Sequence, residues 1–542
     1  LLLKEFSRPR PSTEESPWQQ AHNKAIDQAQ RGYWVEARDA LKPLVAEHPR
    51  AADAWFNLGL LHAFLIEEDE STAALRHYVE LPIPQDDAVE TEAVAQLLNS
   101  KEPTQESLVE LVQRSFSILE IDDLVARLTA NPRTTPLSID PDDQDEDEPL
   151  PRAAFGILDR KRLAEDETPT LDSVPRVVGQ AIVFGKQTDR DALLQLVGHD
   201  GDSLTKSLEA LGEIAGESLG EEVADSLEVL DQTTASRRVL IPNWFLPPGI
   251  SPELADELSR AFWRDALLNR WVDVPNYALE GQSPNEAAGQ GRTIPVLAEI
   301  LNLEMTPGNP DPQFDFNELR RKLNLPEAGQ IAGEGIDSRY FPLARVPRLQ
   351  VEQLSEDDLQ MLLTRAGACR FAPAMHTLIT ELLSRPELAD DATKAKLYGI
   401  LASIAPTPDE ALEHLDKACE FEIAAGNSPA RWLVEELAIR MARGQGEHVE
   451  RLFQTISEKH FNEPGIRERL MNLLQSFGLI GPDGQPGPAA DPGIGEVGAS
   501  VGAESSAAGA GTEGSPSSGL WTPGQPEATP RKKSAIWTPD MD

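Results

Sequence analysis

Nucleotide chemistry is the first possibility the chain raises, through Gly179-Gln180-Ala181-Ile182-Val183-Phe184-Gly185-Lys186-Gln187. A phosphate-cradling loop needs four residues between its glycines and a Ser or Thr after the lysine to hold magnesium. Here five residues intervene, glutamine follows the lysine, and the middle is apolar and β-branched, so the segment reads as a strand. The nine histidines, His62, His77, His199 and His376 among them, show neither H-E-x-x-H nor another metal spacing. Cys369 and Cys419 lie far apart without a C-x-x-C partner, which suits reduced, buried thiols better than zinc or redox work. No G-x-S-x-G elbow or Cys/His constellation is present. Among 91 acidic residues, paired carboxylates carry no information. The sequence therefore assigns no catalytic, metal or cofactor residue and points to a non-enzyme.

Two features suit binding instead. Near the end of the chain, Leu520-Trp521-Thr522-Pro523 recurs as Ile536-Trp537-Thr538-Pro539. Tryptophan is a large anchor with little entropy to lose, and proline pre-sets an extended backbone. Trp521, Pro523, Trp537 and Pro539 thus read as a duplicated docking motif that gains avidity from its two copies. Arg531-Lys532-Lys533 lies between them, and the receptor is another protein or the chain's own helices.

The second feature needs helices to position it. Trp55, Leu58 and Gly59 fall at W-x2-L-G spacing, with Leu61 and His62 on the same helical stripe. Ala74, Tyr78 and Leu81 announce a partner helix, Ala74 being the small residue expected against Gly59. One repeat earlier, Ala37, Leu41 and Leu44 show the same spacing and stop at Pro49. Residues 18–84 resemble the tetratricopeptide family, with units of about 34 residues; Lys24-Ala25 replace Leu-Gly in the first. The resemblance implies a concave groove lined by helix A residues: Gln19, His22, Asn23 and Ile26, then Phe56, Asn57, Leu60 and Phe64. Asn57 stands where family members that clamp peptide C-termini carry an asparagine. The lysines and arginine completing such a clamp are not visible, which implies an apolar or mixed groove. His62 stands where the family has a large aromatic and is expected to pack.

The balance of 49 basic and 91 acidic residues, a formal charge of −42, argues against nucleic acid and anionic membranes. Partners are expected to be other proteins or peptides, and the oligomeric state stays open. No apolar run approaches the roughly 18 residues of a membrane span, so a cytoplasmic protein is expected. Leu1-Leu2-Leu3 is too short for a signal core. The chain begins without Met, so this expectation covers only the residues present.

The expected fold class is mainly α, with tetratricopeptide-like helices at both ends of the folded part, a small α+β module between, and a disordered tail. Residues 1–15 read as a frayed terminus and 16–130 as repeats with a capping helix over 104–130. An acidic linker follows at 131–151. The α+β module at 152–246 has strands at 177–184 and 236–242, a helix opened by Thr188-Asp189-Arg190-Asp191, and another over 203–214. Residues 247–305 are helical, starting at Ser251-Pro252 and again at the capping box Ser283-Pro284-Asn285-Glu286. Within them, Ala278 to Ala287 is similar to the L-x-G-x-[ST]-P-x-E-A segment of some toxin-binding antitoxin domains, though half of it is generic turn-and-cap grammar. A linker-like stretch at 306–349 leads to amphipathic helices over 350–480, and 481–542 form the tail. The resulting expectation is an interaction scaffold. An enzyme with its site in 152–305 and an antitoxin-like regulatory binder are the alternatives.

Overall fold

The computed structural model describes residues 8–99, 103–137, 150–164, 167–186, 191–247, 249–306, 310–311 and 313–480. It is mainly helical, with one antiparallel sheet in its middle. The tail from 481 onward, including both tryptophan motifs, lies outside the described residues.

Two helical hairpins open the fold: α1 (Gln19–Gln30) with α2 (Trp34–Glu47), and α3 (Ala52–Phe64) with α4 (Glu68–Val79). Ala25, Ile26, Ala37, Leu41, Ala54, Leu58 and Leu61 form the shared core. Gly59 permits the close crossing of α3 and α4. A Cβ there would lie 2.6 Å from Leu75 Cδ2 and 3.2 Å from the Leu75 backbone nitrogen. The residue against the glycine is thus Leu75 rather than the expected Ala74, and Ser71 Oγ donates to the Gly59 carbonyl at 2.8 Å.

A fifth helix, α5 (Gln85–Leu97), packs on α4. Its other partner comes from much later in the chain. Gln96 Nε2 donates to the Pro295 carbonyl at 2.9 Å, 199 positions on, and Asn302 Nδ2 donates to Gln96 Oε1 at 3.2 Å.

The intervening sheet starts earlier than expected. Instead of a capping helix over 104–130, Leu108–Ile118 form β1, followed by helix α6 (Ile121–Ala130). The apolar residues of 108–118 suit either period, and pairing on two sides decides for the strand. Thr134–Pro136, assigned above to the linker, form edge strand β2 against β3 (Ala153–Leu158). The strand expected at 177–184 is β4 (Val177–Phe184). The helix expected after Thr188 is instead β5 (Leu193–His199), where Leu194 and Leu196 point into the core and Gln195 alternates with them. Helix α7 (Asp202–Ala215) forms as expected. The strand expected at 236–242 is replaced by β6 (Leu219–Glu222), β7 (Glu228–Thr234) and the short helix α8 (Ala235–Arg238). The order is β2-β3-β4-β5-β1-β6, with β7 also on β1. Leu124 and Leu128 of α6 and Leu204, Leu211 and Ile214 of α7 join Phe155, Ile157, Ala181, Leu194 and Leu196 in one core.

Helices return with α9 (Pro252–Asn269), α10 (Pro284–Gly289) and α11 (Thr293–Glu304). Ser251 Oγ accepts from the Leu254 N–H, and Ser283 and Glu286 complete a reciprocal capping box. The string from Ala278 to Ala287 forms this turn and cap, with Leu279 fully buried. The stretch 306–349 is no linker. Helix α12 (Phe316–Lys322) buries Phe316 and Leu319 with Phe314, while Phe341, Leu343, Val346 and Leu349 anchor a second core. Proline-rich spacing hid these anchors from a periodicity argument. Arg345 of this stretch forms paired hydrogen bonds to Glu90 at 2.6 and 2.8 Å and also bonds Asp87, both on α5. Seven helices complete the fold: α13 (Glu356–Cys369), α14 (Ala372–Ser384), α15 (Asp391–Ser403), α16 (Pro408–Ala424), α17 (Ala430–Ala442), α18 (Gly446–Lys459) and α19 (Ile466–Ser476). They fill the span expected to hold amphipathic helices, 350–480, and side-chain caps such as Ser355 and Thr407 mark the starts of some of them.

Candidate binding groove

Asn23 of α1 and Asn57 of α3 stand 34 positions apart on the first helices of the two hairpins. Each holds one residue of the chain's own N-terminal segment by the main chain. Asn57 Oδ1 accepts the Arg10 N–H at 3.0 Å, and its Nδ2 donates to the Arg10 carbonyl at 2.8 Å. Asn23 repeats the pattern on Ser12, accepting its N–H at 2.8 Å and donating to its carbonyl at 3.0 Å. Gln19 Nε2 adds a bond to the same carbonyl at 3.1 Å. Residues 8–14 therefore cross the two hairpins as a strap, where a frayed terminus was expected over 1–15; residues 1–7 of that span lie outside the described residues. The terminus looked loose because it is polar and proline-rich and its partners lie far away in sequence.

His22 locks the two clamps together. Its Nδ1 lies 2.9 Å from Asn23 Oδ1 and its Nε2 lies 2.9 Å from Asn57 Nδ2. These partners assign the proton to Nδ1, leaving Nε2 to accept. Asn57 then engages its oxygen and both amide hydrogens in this set: the oxygen and one hydrogen on the strap, the other hydrogen on His22. Both His22 and Asn57 are fully buried. A satisfied buried network of this kind holds its side chains in one orientation.

The Arg10 side chain fills a slot beyond the clamp. Its guanidinium lies over the Phe56 ring, 4.6 Å from the centroid, and Nη2 donates to the Tyr78 hydroxyl at 3.1 Å. Asp53 lies 3.8 Å from Nε and Asp87 4.0 Å from Nη2. Burial pushes the Tyr78 hydroxyl up to about 12, against the pull of Arg10, so the phenol stays protonated. Asp87 is shared with Arg345, which ties the slot to the α5 interface. Arg8, Leu60, Leu75, Glu90, Thr91 and Val94 line the same cavity. Tyr340, Pro342 and Arg365 bring the C-terminal half onto its wall. Gln30 Nε2 reaches the Tyr340 hydroxyl at 3.1 Å.

Of the groove residues read from sequence, His22, Asn23 and Asn57 form the clamp, Phe56 underlies Arg10, and Leu60 sits in the cavity floor. Ile26 does not face the groove: at 1% exposure it belongs to the core between hairpins. Phe64 packs on Trp34, ring centroids 5.4 Å apart, away from the strap. The groove is mixed: polar along its clamp, with Asp53 and Asp87 beside Phe56 and Leu60 in its slot. Arg10, Ser12, Asp53, Tyr78 and Asp87 were not among the groove residues read from sequence, Tyr78 being read only as part of the partner helix. Aligning the two repeats, which sets Asn23 on Asn57, was the available signal. Cys369 and Cys419 are half-buried and are not joined in a disulfide. Among the described residues no group of three His, Cys, Asp or Glu side chains is placed to hold a metal ion. Among them no helix is long and apolar enough to cross a membrane. Comparison with protein-family models, curated proteins and solved structures yields no match to this chain.

Proposed function

We propose that this chain is a non-enzymatic, cytoplasmic interaction scaffold, whose tetratricopeptide-like first hairpins receive an extended polypeptide segment. The carrying observation is the repeated amide clamp: two asparagines, each engaging both the N–H and the carbonyl of alternate strap residues. Such contacts read main chain and are available to any extended segment, as in other modes of backbone recognition. An amide pre-oriented by His22 gives up little entropy when it binds, which favours a built receptor over an incidental contact.

Photo-crosslinking tests the reading. A photoreactive phenylalanine analogue in place of Tyr340, on the cavity wall, should capture a discrete partner in cells. Asn23→Ala with Asn57→Ala should abolish that product while the protein stays folded. A captured set indifferent to both substitutions would remove the groove from the function. The same capture with Trp521→Ala and Trp537→Ala measures what the tail motif adds.

A further inference from the structure

Resting on that reading of the groove, we propose that residues 8–14 are a tethered stand-in, and that the partner segment is extended and carries arginine followed by proline. The clamps themselves do not select a sequence, because they touch only main chain. Selection comes from the Arg10 slot. Phe56 offers a ring face, the Tyr78 hydroxyl accepts a guanidinium hydrogen, and Asp53 and Asp87 supply negative charge within about ion-pair distance. Without Arg10, Asp53 would lose its ion pair and Asp87 would keep only Arg345, in a chain whose formal charge is already −42. Lysine has no planar fork to lie on the ring while donating to the phenol, so arginine is the better occupant.

The prolines fit the same logic. Arg10 and Ser12 turn their main-chain groups to the asparagines, while Pro9 and Pro11 occupy the alternate positions and have no N–H to leave unpaired. Proline also holds the segment extended before it binds.

The strap is built to leave. Of residues 8–15 only Ser12 is buried, and among the described residues no apolar side chain before Trp18 is buried. Release therefore uncovers the clamp's polar groups, which water can satisfy, and the Phe56 ring face under Arg10, while no strap side chain leaves a hydrophobic core. Tethering gives the strap a high effective concentration, so a partner in trans competes poorly until the strap is weakened.

The test uses the full chain and a labelled synthetic peptide spanning positions 6–16 of this sequence. Arg10→Glu in the chain sets a carboxylate against Asp53 and Asp87 and should free the groove. Ser12→Asp, which buries a charge at Asn23, is the independent second opening variant. Both should bind the labelled peptide about tenfold or more tighter than the parent chain. Hydrogen exchange over residues 19–79 should stay unchanged in both, as position 10 and position 12 lie outside every helix and strand. A peptide with alanine in place of the arginine of position 10 should lose that gain. Adding Asn57→Ala to the opened chain should lose it too. If neither opening variant gains affinity, the stand-in is refuted. If arginine and alanine peptides bind alike and both need Asn57, arginine selection is refuted while the groove reading survives. If no peptide binds in an Asn57-dependent way, both fall together.

Discussion

Glu299 on α11 offers a prediction that is independent of any partner. Its Oε1 accepts from Asn276 Nδ2 at 2.9 Å, and no cation lies among the groups that act on it. Burial pushes its carboxyl from 4.5 up to about 7, with Asn276 and Asn302 opposing. The folded chain thus keeps a proton that the unfolded chain releases between about pH 4.5 and pH 7. Stability contributed at this site is therefore greatest at the acid end of that window and falls as pH rises through it. A displacement of this size corresponds to about 3 kcal/mol in full. The residue as a whole keeps some exposure, so water screens part of the penalty, and about 2 kcal/mol is the working figure. Glu299→Gln keeps the acceptor for Asn276 and supplies a donor in place of the acid proton, without a charge to bury. A chain of several packed units does not unfold in one step, so a local readout is needed. Hydrogen exchange of the α11 amides provides it, with variant and parent compared at the same pH so that intrinsic rates cancel. At pH 8 the variant should exchange roughly 30-fold more slowly, the equivalent of about 2 kcal/mol. Near pH 4.5 the two should match. Equal or weaker protection of the variant at pH 8 would mean that Glu299 is comfortably ionised, and the argument from burial would fail.

Three further outcomes follow from packing. Gly399→Ala sets a Cβ 2.3 Å from the Trp432 ring and should destabilise the α15–α17 region by about 1–3 kcal/mol, read by limited proteolysis there. Arg345→Met strands Glu90, leaves Asp87 only its 4.0 Å contact with Arg10, and should cost about 3–5 kcal/mol, seen as lost exchange protection in α5; adding Glu90→Gln should restore part of it. Burial pushes Glu90 up to about 7, and the paired bonds from Arg345 oppose that rise. Leu196→Ala, fully buried under α7, should cost about 2–5 kcal/mol and lower protection across β4 and β5 without touching α1–α4.

What the sequence revealed tracks how local each determinant is. Helices α13–α19 were legible because caps and apolar spacing lie within each segment, as at Ser355 and Thr407. Strand β4 was legible from its β-branched run. Strands β1 and β5 were not, since Leu108–Ile118 and Leu193–His199 are short apolar runs that fit a helix as well as a strand. Their ladder partners lie elsewhere in the chain and settle the matter. The site divides the same way. Asn57 drew attention through a local motif, whereas its ligand Arg10 lies 47 positions away inside a polar, proline-rich stretch with no periodicity. Asp87 belongs to the slot only because α5 returns against α4.

The late partner of α5 has a consequence for how the molecule is made. During synthesis α1–α5 emerge first, yet the apolar flank of α5 around Val94 meets Leu301 and Met305 only after the sheet and α9 have been translated. A nascent chain must hold that flank open while an entire sheet folds beside it, and domains leaving the ribosome fold from the N-terminal end. Completion of the first helical layer is thus timed by the sheet. A chain interrupted anywhere before α11 would carry an unfinished, adhesive edge, a natural mark for chaperones and for quality-control proteases.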